Sequence, residues 1–242
     1  LGEEPFLLPG IFAATERMEQ SRVVPIAFSV RFFDLDAVLV DEALLSAEER
    51  ERVGRKATPV LRQRQAASFQ CLRLTLGEVL GADPSSLCFR IEATGKPVLA
   101  CGGLHFNVSH SGGVGLLAWG PRELGADVEA LIARPSDSLA EEILALPELE
   151  AWRALPTTLR QAALTRAWTR KEATLKAIGS GLRIPPRTIE VGGFWHEPDA
   201  PGAPTTLRWT HEHEGRRWQG FEGFNGVPEG YRAAVCIEAG GG

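Results

Sequence analysis

The sequence predicts an α+β fold made of two halves of similar size, and three observations carry that prediction. Two long stretches, 61–80 and 159–178, repeat apolar residues at helical spacing, one in each half of the chain. Short β-prone runs flank both of them. A Gly120-Pro121 break lies near the middle. The expected division is an N-terminal arm over 1–22, a first α+β subdomain over 23–120 and a second over 121–242. With 242 residues, 44% hydrophobic and 24% charged, the chain falls among globular proteins and outside disordered, collagenous and rod-like classes.

In chain order, Pro5, Pro9 and Gly10 mark the first 22 residues as irregular, and 24–33 reads as a strand. Ser46-Ala47-Glu48-Glu49 is a helix start with acidic residues in its first turn, and the helix runs to about Gly54. Leu61, Ala66, Phe69, Leu72, Leu76 and Leu80 define the first long helix, which Gly81-Ala82-Asp83-Pro84 stops. Short strands are expected over 88–91, 104–109 and 113–119, and again over 124–129. A helix is expected over 139–146 and the second long helix over 159–178, ended by Gly179-Ser180-Gly181. Strands around 187–194, 206–210, 217–221 and 233–238 complete the tail.

Twenty-six Lys and Arg against 31 Asp and Glu give a net charge of −5, which argues against a nucleic-acid surface. Cys71, Cys88, Cys101 and Cys236 form no C-x-x-C pair and sit at no zinc-finger spacing, so they read as buried free thiols of a reducing compartment. No apolar run reaches the roughly 18 residues of a membrane span. Glu3 and Glu4 stand where a signal peptide would be basic, so the expectation is cytoplasmic.

Several segments carry candidate chemistry. Asp127 and Glu129 are two apart on an expected strand and share a face, with Val128 turned to the core. Two such carboxylates repel unless a cation neutralises them, and their hard oxygens suit Mg²⁺. Glu172 and Lys176, four apart on the second long helix, also share a face; the pair reads either as a surface ion pair or as a third carboxylate beside a phosphate-binding ammonium. Asn107-Val108-Ser109-His110-Ser111-Gly112-Gly113 runs from a strand into a polar glycine turn of the kind that holds phosphate oxygens. Gly95-Lys96-Pro97 is a turn that could bring Lys96 to a phosphate. Arg50, Arg52, Arg55, Lys56, Arg62 and Arg64 make a local basic face, a candidate anion site in an acidic chain. His211 and His213 share a strand face, where plain alternation on an exposed strand outweighs a metal site.

Together these segments, in order and spacing, resemble the surfactin-type 4′-phosphopantetheinyl transferases. The resemblance rests on Gly95-Lys96-Pro97, Phe106 to Ser111, Leu124 to Glu129, and Trp168-Thr169-Arg170-Lys171-Glu172-Ala173 through Lys176, followed by Gly179-Ser180-Gly181-Leu182. The W-x-x-K-E-A wording is similar to the subgroup tied to secondary metabolism, the making of polyketides and nonribosomal peptides. The resemblance implies a pseudo-twofold pair of α+β subdomains with coenzyme A and Mg²⁺ in the cleft between them. It implies attack by a serine of an acyl, peptidyl or aryl carrier protein on the β-phosphate of coenzyme A, releasing 3′,5′-ADP. It further implies Asp127, Glu129 and Glu172 as Mg²⁺ ligands, Glu172 as base, and Lys176 beside the splitting diphosphate. Asn107, Ser109 and His110 would bind coenzyme A, with Arg52, Arg64 and His110 on its 3′-phosphate and Gly95, Lys96 and Pro97 along its adenine. Relatives often carry a basic residue one turn before Arg52, where this chain has Glu49. Carrier docking is expected over 131–164, rimmed by Arg134, Arg153 and Arg160, and a monomer is expected because the two halves supply one cleft. The competing readings are a Mg²⁺-dependent phosphodiesterase and a non-catalytic coenzyme A or carrier-binding module.

Overall fold

The computed structural model describes residues 16–18, 27–193 and 206–240. Strands β1 (Glu16–Met18) and β2 (Phe28–Asp34) precede helices α1 (Ala47–Gly54) and α2 (Pro59–Leu80). A small hairpin, β3 (Phe89–Ile91) and β4 (Pro97–Leu99), leads to β5 (His105–Ser111) and β6 (Val114–Gly120). Then come β7 (Leu124–Ala130), α3 (Asp137–Ile143), α4 (Leu146–Ala154), α5 (Thr157–Ala177), β8 (Thr206–His213), β9 (Arg216–Glu222) and β10 (Tyr231–Glu238). The chain is α+β, with every strand pair antiparallel.

Two four-stranded sheets repeat one plan. Their orders are β1-β2-β6-β5 and β7-β10-β9-β8. In each, a strand leads to a long helix, and the last strand of the sheet returns beside that first strand. Strand alternation divides the apolar residues between two faces. Phe28, Val30, Phe32, Leu116 and Ala118 of the first sheet meet Ala126, Val128, Phe221, Val235 and Ile237 of the second in one buried layer. The opposite faces receive the helices: Phe33, Leu117 and Trp119 pack under Ala67, Leu72 and Leu76 of α2. Ala234, Cys236, Trp209 and Trp218 pack under Leu164, Ala167, Ala173 and Leu175 of α5.

Local chemistry sets the helix ends. Ser46 Oγ accepts from Glu49 N at 3.2 Å while Glu49 returns a carboxylate oxygen to Ser46 N at 2.8 Å, a reciprocal cap at the start of α1. Thr58 caps α2 and Pro59 occupies its first turn. Gly81, at φ +62°, closes α2 in the left-handed conformation that the sequence marked as a stop.

Some expectations are corrected. Most of the arm over 1–22 lies outside the described residues, but 16–18 form a strand paired with β2. Residues 24–26 also lie outside them, and the strand expected there is described from Phe28. The single helix expected over 139–146 is two helices, broken at Leu144-Ala145, and α4 was not foreseen. Its start is held by Glu148, which accepts from Ala145 N at 3.0 Å. The strand expected over 187–194 is absent among the described residues of that stretch. Ile189 and Val191 are buried there, but side chains meet their backbone groups in place of a ladder. Glu148 accepts from Val191 N at 2.7 Å, Arg170 donates to the Val191 carbonyl at 3.0 Å and Lys171 donates to that of Ile189. Of the four free thiols, Cys71 and Cys236 are buried, whereas Cys88 and Cys101 are exposed.

Candidate active site

The site forms where the free edges of the two sheets approach each other. On β5, Asn107, Ser109 and Ser111 alternate onto the face turned to β7. Asn107 Oδ1 accepts from Ala126 N at 2.9 Å and Ser111 Oγ accepts from Ala130 N at 3.2 Å. Between them Ser109 Oγ donates to Asp127 Oδ1 at 2.8 Å. These three side chains replace a main-chain ladder and join the sheets.

Helix α5 supplies the other wall. It lies directly on β7 at Gly125, where a Cβ would stand 2.2 Å from both the Ala173 carbonyl oxygen and the Ala177 nitrogen. Only a glycine admits that approach, and it lets Lys176 reach across. Lys176 Nζ donates to Asp127 Oδ1 at 2.6 Å and to Ser109 Oγ at 3.0 Å. Asp127 is 1% exposed. Burial pushes its carboxyl up to about 6, against the pull of Lys176. Its second oxygen, Oδ2, is buried with no hydrogen-bond partner. Glu129, two residues on, accepts from the Trp168 indole N–H at 3.2 Å. Burial raises Glu172, Lys176 opposes the shift and Glu129 adds to it. The three expected carboxylates therefore converge with Lys176 on one crevice. Among the described residues, no three His, Cys, Asp or Glu stand close enough together to hold a metal ion as they are placed. The orphaned oxygen and two carboxyls raised by burial nonetheless fit a divalent cation, whose charge would offset their desolvation.

On its other face β5 carries Phe106, Val108 and His110. Val108 and His110 line a cavity of about 510 Å³ together with Arg52, Phe69, Cys88 and Pro97. Arg52 lies over the Phe69 ring, 5.2 Å from its centroid. His110 is exposed, yet the surrounding protein strips enough hydration to lower its imidazole, and Lys56 and Lys176 act the same way while Glu129 opposes. A second, apolar cavity of about 480 Å³ opens beside Glu129 between Ile132, Leu139, Ile143, Trp168 and Pro186.

Other expected residues have different partners. Ser109 turns to Asp127 while His110 turns to the cavity, so the adjacent pair serves two faces. Asn107 is a buried joint between the sheets. Arg64 makes a two-point ion pair with Asp36, both contacts at 2.7 Å, and does not line the cavity of Arg52 and His110. Lys96 Nζ donates to the Leu124 carbonyl at 2.8 Å. Glu49 is buried, and besides its cap it pairs with Arg73 at 2.7 Å. Over 131–164, Arg153 pairs with Glu141, and Arg160 donates to the Leu155 carbonyl at 3.1 Å. Leu146 there is 76% exposed. His211 and His213 stack at 6.2 Å between centroids.

The sequence reading assigned no role to Trp168 or Lys171. Lys171 pairs with Glu148 at 2.5 Å, and burial lowers its ammonium while Glu148 opposes. Their signal was membership of the W-x-x-K-E-A run, used there for the resemblance alone.

Residues 123–236 match the family model of the 4′-phosphopantetheinyl transferase superfamily. Among curated relatives is the 4′-phosphopantetheinyl transferase HetI of Nostoc sp., 40% identical over 148 residues, which are 58% of this chain and 62% of that protein. The 4′-phosphopantetheinyl transferase of Bacillus subtilis is 28% identical over 144 residues, 59% of this chain and 64% of that one. AcpT of Salmonella typhimurium, also called a 4′-phosphopantetheinyl transferase, is 41% identical over 118 residues, 47% of this chain and 59% of that one. The chain spans about three-fifths of the length of the curated relatives it matches.

Proposed function

We propose that the chain transfers the 4′-phosphopantetheine arm of coenzyme A to a serine of an acyl, peptidyl or aryl carrier protein. The serine oxygen forms a bond to the β-phosphorus, the bond from that phosphorus to the bridging oxygen breaks, and 3′,5′-ADP departs with the electron pair. The observation that carries the reading is the convergence of Asp127, Glu129, Glu172 and Lys176 beside the cavity of Arg52, Pro97 and His110.

Phosphoryl transfer needs positioning and charge neutralisation more than covalent help. Asp127, Glu129 and Glu172 would hold Mg²⁺, which supplies Lewis-acid neutralisation of the diphosphate. Lys176 adds a fixed positive charge where the leaving oxygen develops negative charge. Glu172, its carboxyl raised by burial, takes the serine proton directly or through a water. Arg52 and His110 serve the 3′-phosphate, while Asp36 engages Arg64. Asn107 and Ser109 act from behind, on β7 and Asp127. The uncharged pantetheine arm suits the apolar cavity beside Glu129. The carrier docks over 131–164, where exposed Leu146 offers an apolar contact. The protein acts in the cytoplasm as a monomer, in secondary metabolism.

Incubation with coenzyme A, Mg²⁺ and an apo carrier, followed by weighing the carrier, tests the reading. A gain of one phosphopantetheine is expected, lost on chelation and in folded Asp127→Ala. Coenzyme A binding without that gain would make the chain a binding module, and activity surviving Asp127→Ala would displace the metal site.

A further inference from the structure

The Gly95-Lys96-Pro97 turn reads from sequence as a phosphate contact for Lys96, but the side chain goes elsewhere. Gly95 has φ +87°, and the turn is closed by Gly95 N donating to the Glu92 carbonyl at 2.8 Å and Glu92 N donating to that of Lys96 at 2.9 Å. The Lys96 side chain is 9% exposed and leans away from the cavity that Pro97 lines. Its Nζ donates to the carbonyls of Leu124 at 2.8 Å and Lys176 at 3.4 Å, and Glu123 lies at 3.6 Å. An ammonium has three hydrogens; two of them meet carbonyls, and Glu123 is an ion-pair neighbour at 3.6 Å.

Both carbonyls lead to the site. Leu124 opens β7 three residues before Asp127. Lys176 stands in the last turn of α5 and is the residue whose own ammonium reaches Asp127. Carbonyls at a helix C-terminus carry the negative end of its dipole, so a cation is favoured there. Gly125 presses this turn against β7 at the same level.

We propose that Lys96 is a positioning residue, one that couples the β3–β4 wall of the cavity to the Asp127–Lys176 pair and does not bind a phosphate. The proposal rests on the transferase reading. In Lys96→Met, kcat is expected to fall about tenfold or more while KM for coenzyme A stays within about threefold. The preference for coenzyme A over 3′-dephospho-coenzyme A should stay that of the unaltered protein, and Lys96→Arg should recover most of kcat. A large rise in KM with loss of that preference would make Lys96 a phosphate ligand and overturn the proposal, as would an unchanged kcat. Amide hydrogen exchange without substrate gives a second reading: residues 95, 96 and 176–180 should exchange faster in Lys96→Met while α2 does not change. Unaltered exchange would reject the strut. If the unaltered protein transfers nothing, the transferase reading fails while the exchange measurement still judges the strut. Should Lys96→Met not fold, Lys96→Gln carries the same comparison.

Discussion

A buried carboxylate with one oxygen engaged and the other orphaned is costly, and Asp127 is in that state. Glu129 differs, because the Trp168 indole N–H holds one of its oxygens. On the proposed function Glu129 is a metal ligand, and partners that orient a ligand in this way tune metal affinity strongly. Trp168→Phe keeps an aromatic ring and removes the N–H donor. The Mg²⁺ concentration for half-maximal transfer is expected to rise on the order of tenfold, with the rate at saturating metal little changed. A metal titration of initial rates checks this. Glu49 is another buried carboxylate with its partners supplied: it caps α1 and pairs with Arg73.

Helix α5 is held by charge as well as by its apolar face. Arg166 and Arg170, one turn apart, clamp the buried Glu222 of β9, each with contacts at 2.8 Å. Burial alone would raise the Glu222 carboxyl, but the two guanidiniums outweigh it and hold it below the ordinary value. A depressed carboxyl contributes stability above its unfolded pKa, about 4.3, and loses it as pH falls through its folded one. Glu222→Gln leaves two buried cations facing a neutral amide, with an expected cost of about 3 kcal/mol at neutral pH. Thermal melts across pH should show that gap narrowing below pH ~4. Breaking this clamp should also loosen the helix that carries Glu172 and Lys176.

At the scale of the molecule, two sheets share one apolar layer, and polar side chains on β5 set their relative register at the crevice. Asn107→Ala would leave the Ala126 N–H buried without its acceptor, at a cost of roughly 1–3 kcal/mol. Urea denaturation measures it. Ser111→Ala should cost less, because Ser111 is only half-buried. Cys71 and Cys236, pushed up to about 12 by burial, belong to the packed interior and take no part in this chemistry.

The two long helices, their caps and glycine stops, and most strands were legible in the sequence, because periodicity and capping are properties of neighbouring residues. So were the shared face of Asp127 and Glu129 and the spacing of Glu172 and Lys176. The α3–α4 break was hidden in an apolar run, and the stretch after α5 looked like a strand because nothing local says that Glu148, Arg170 and Lys171 will meet its backbone. Tertiary structure alone decided that Lys176 spans to Asp127, that Arg64 is taken by Asp36 and that Lys96 grips carbonyls. Each depends on which distant segment lies across the sheet edge, and burial then fixes the partner, since a polar group out of reach of water takes whatever donor or acceptor the fold brings to it.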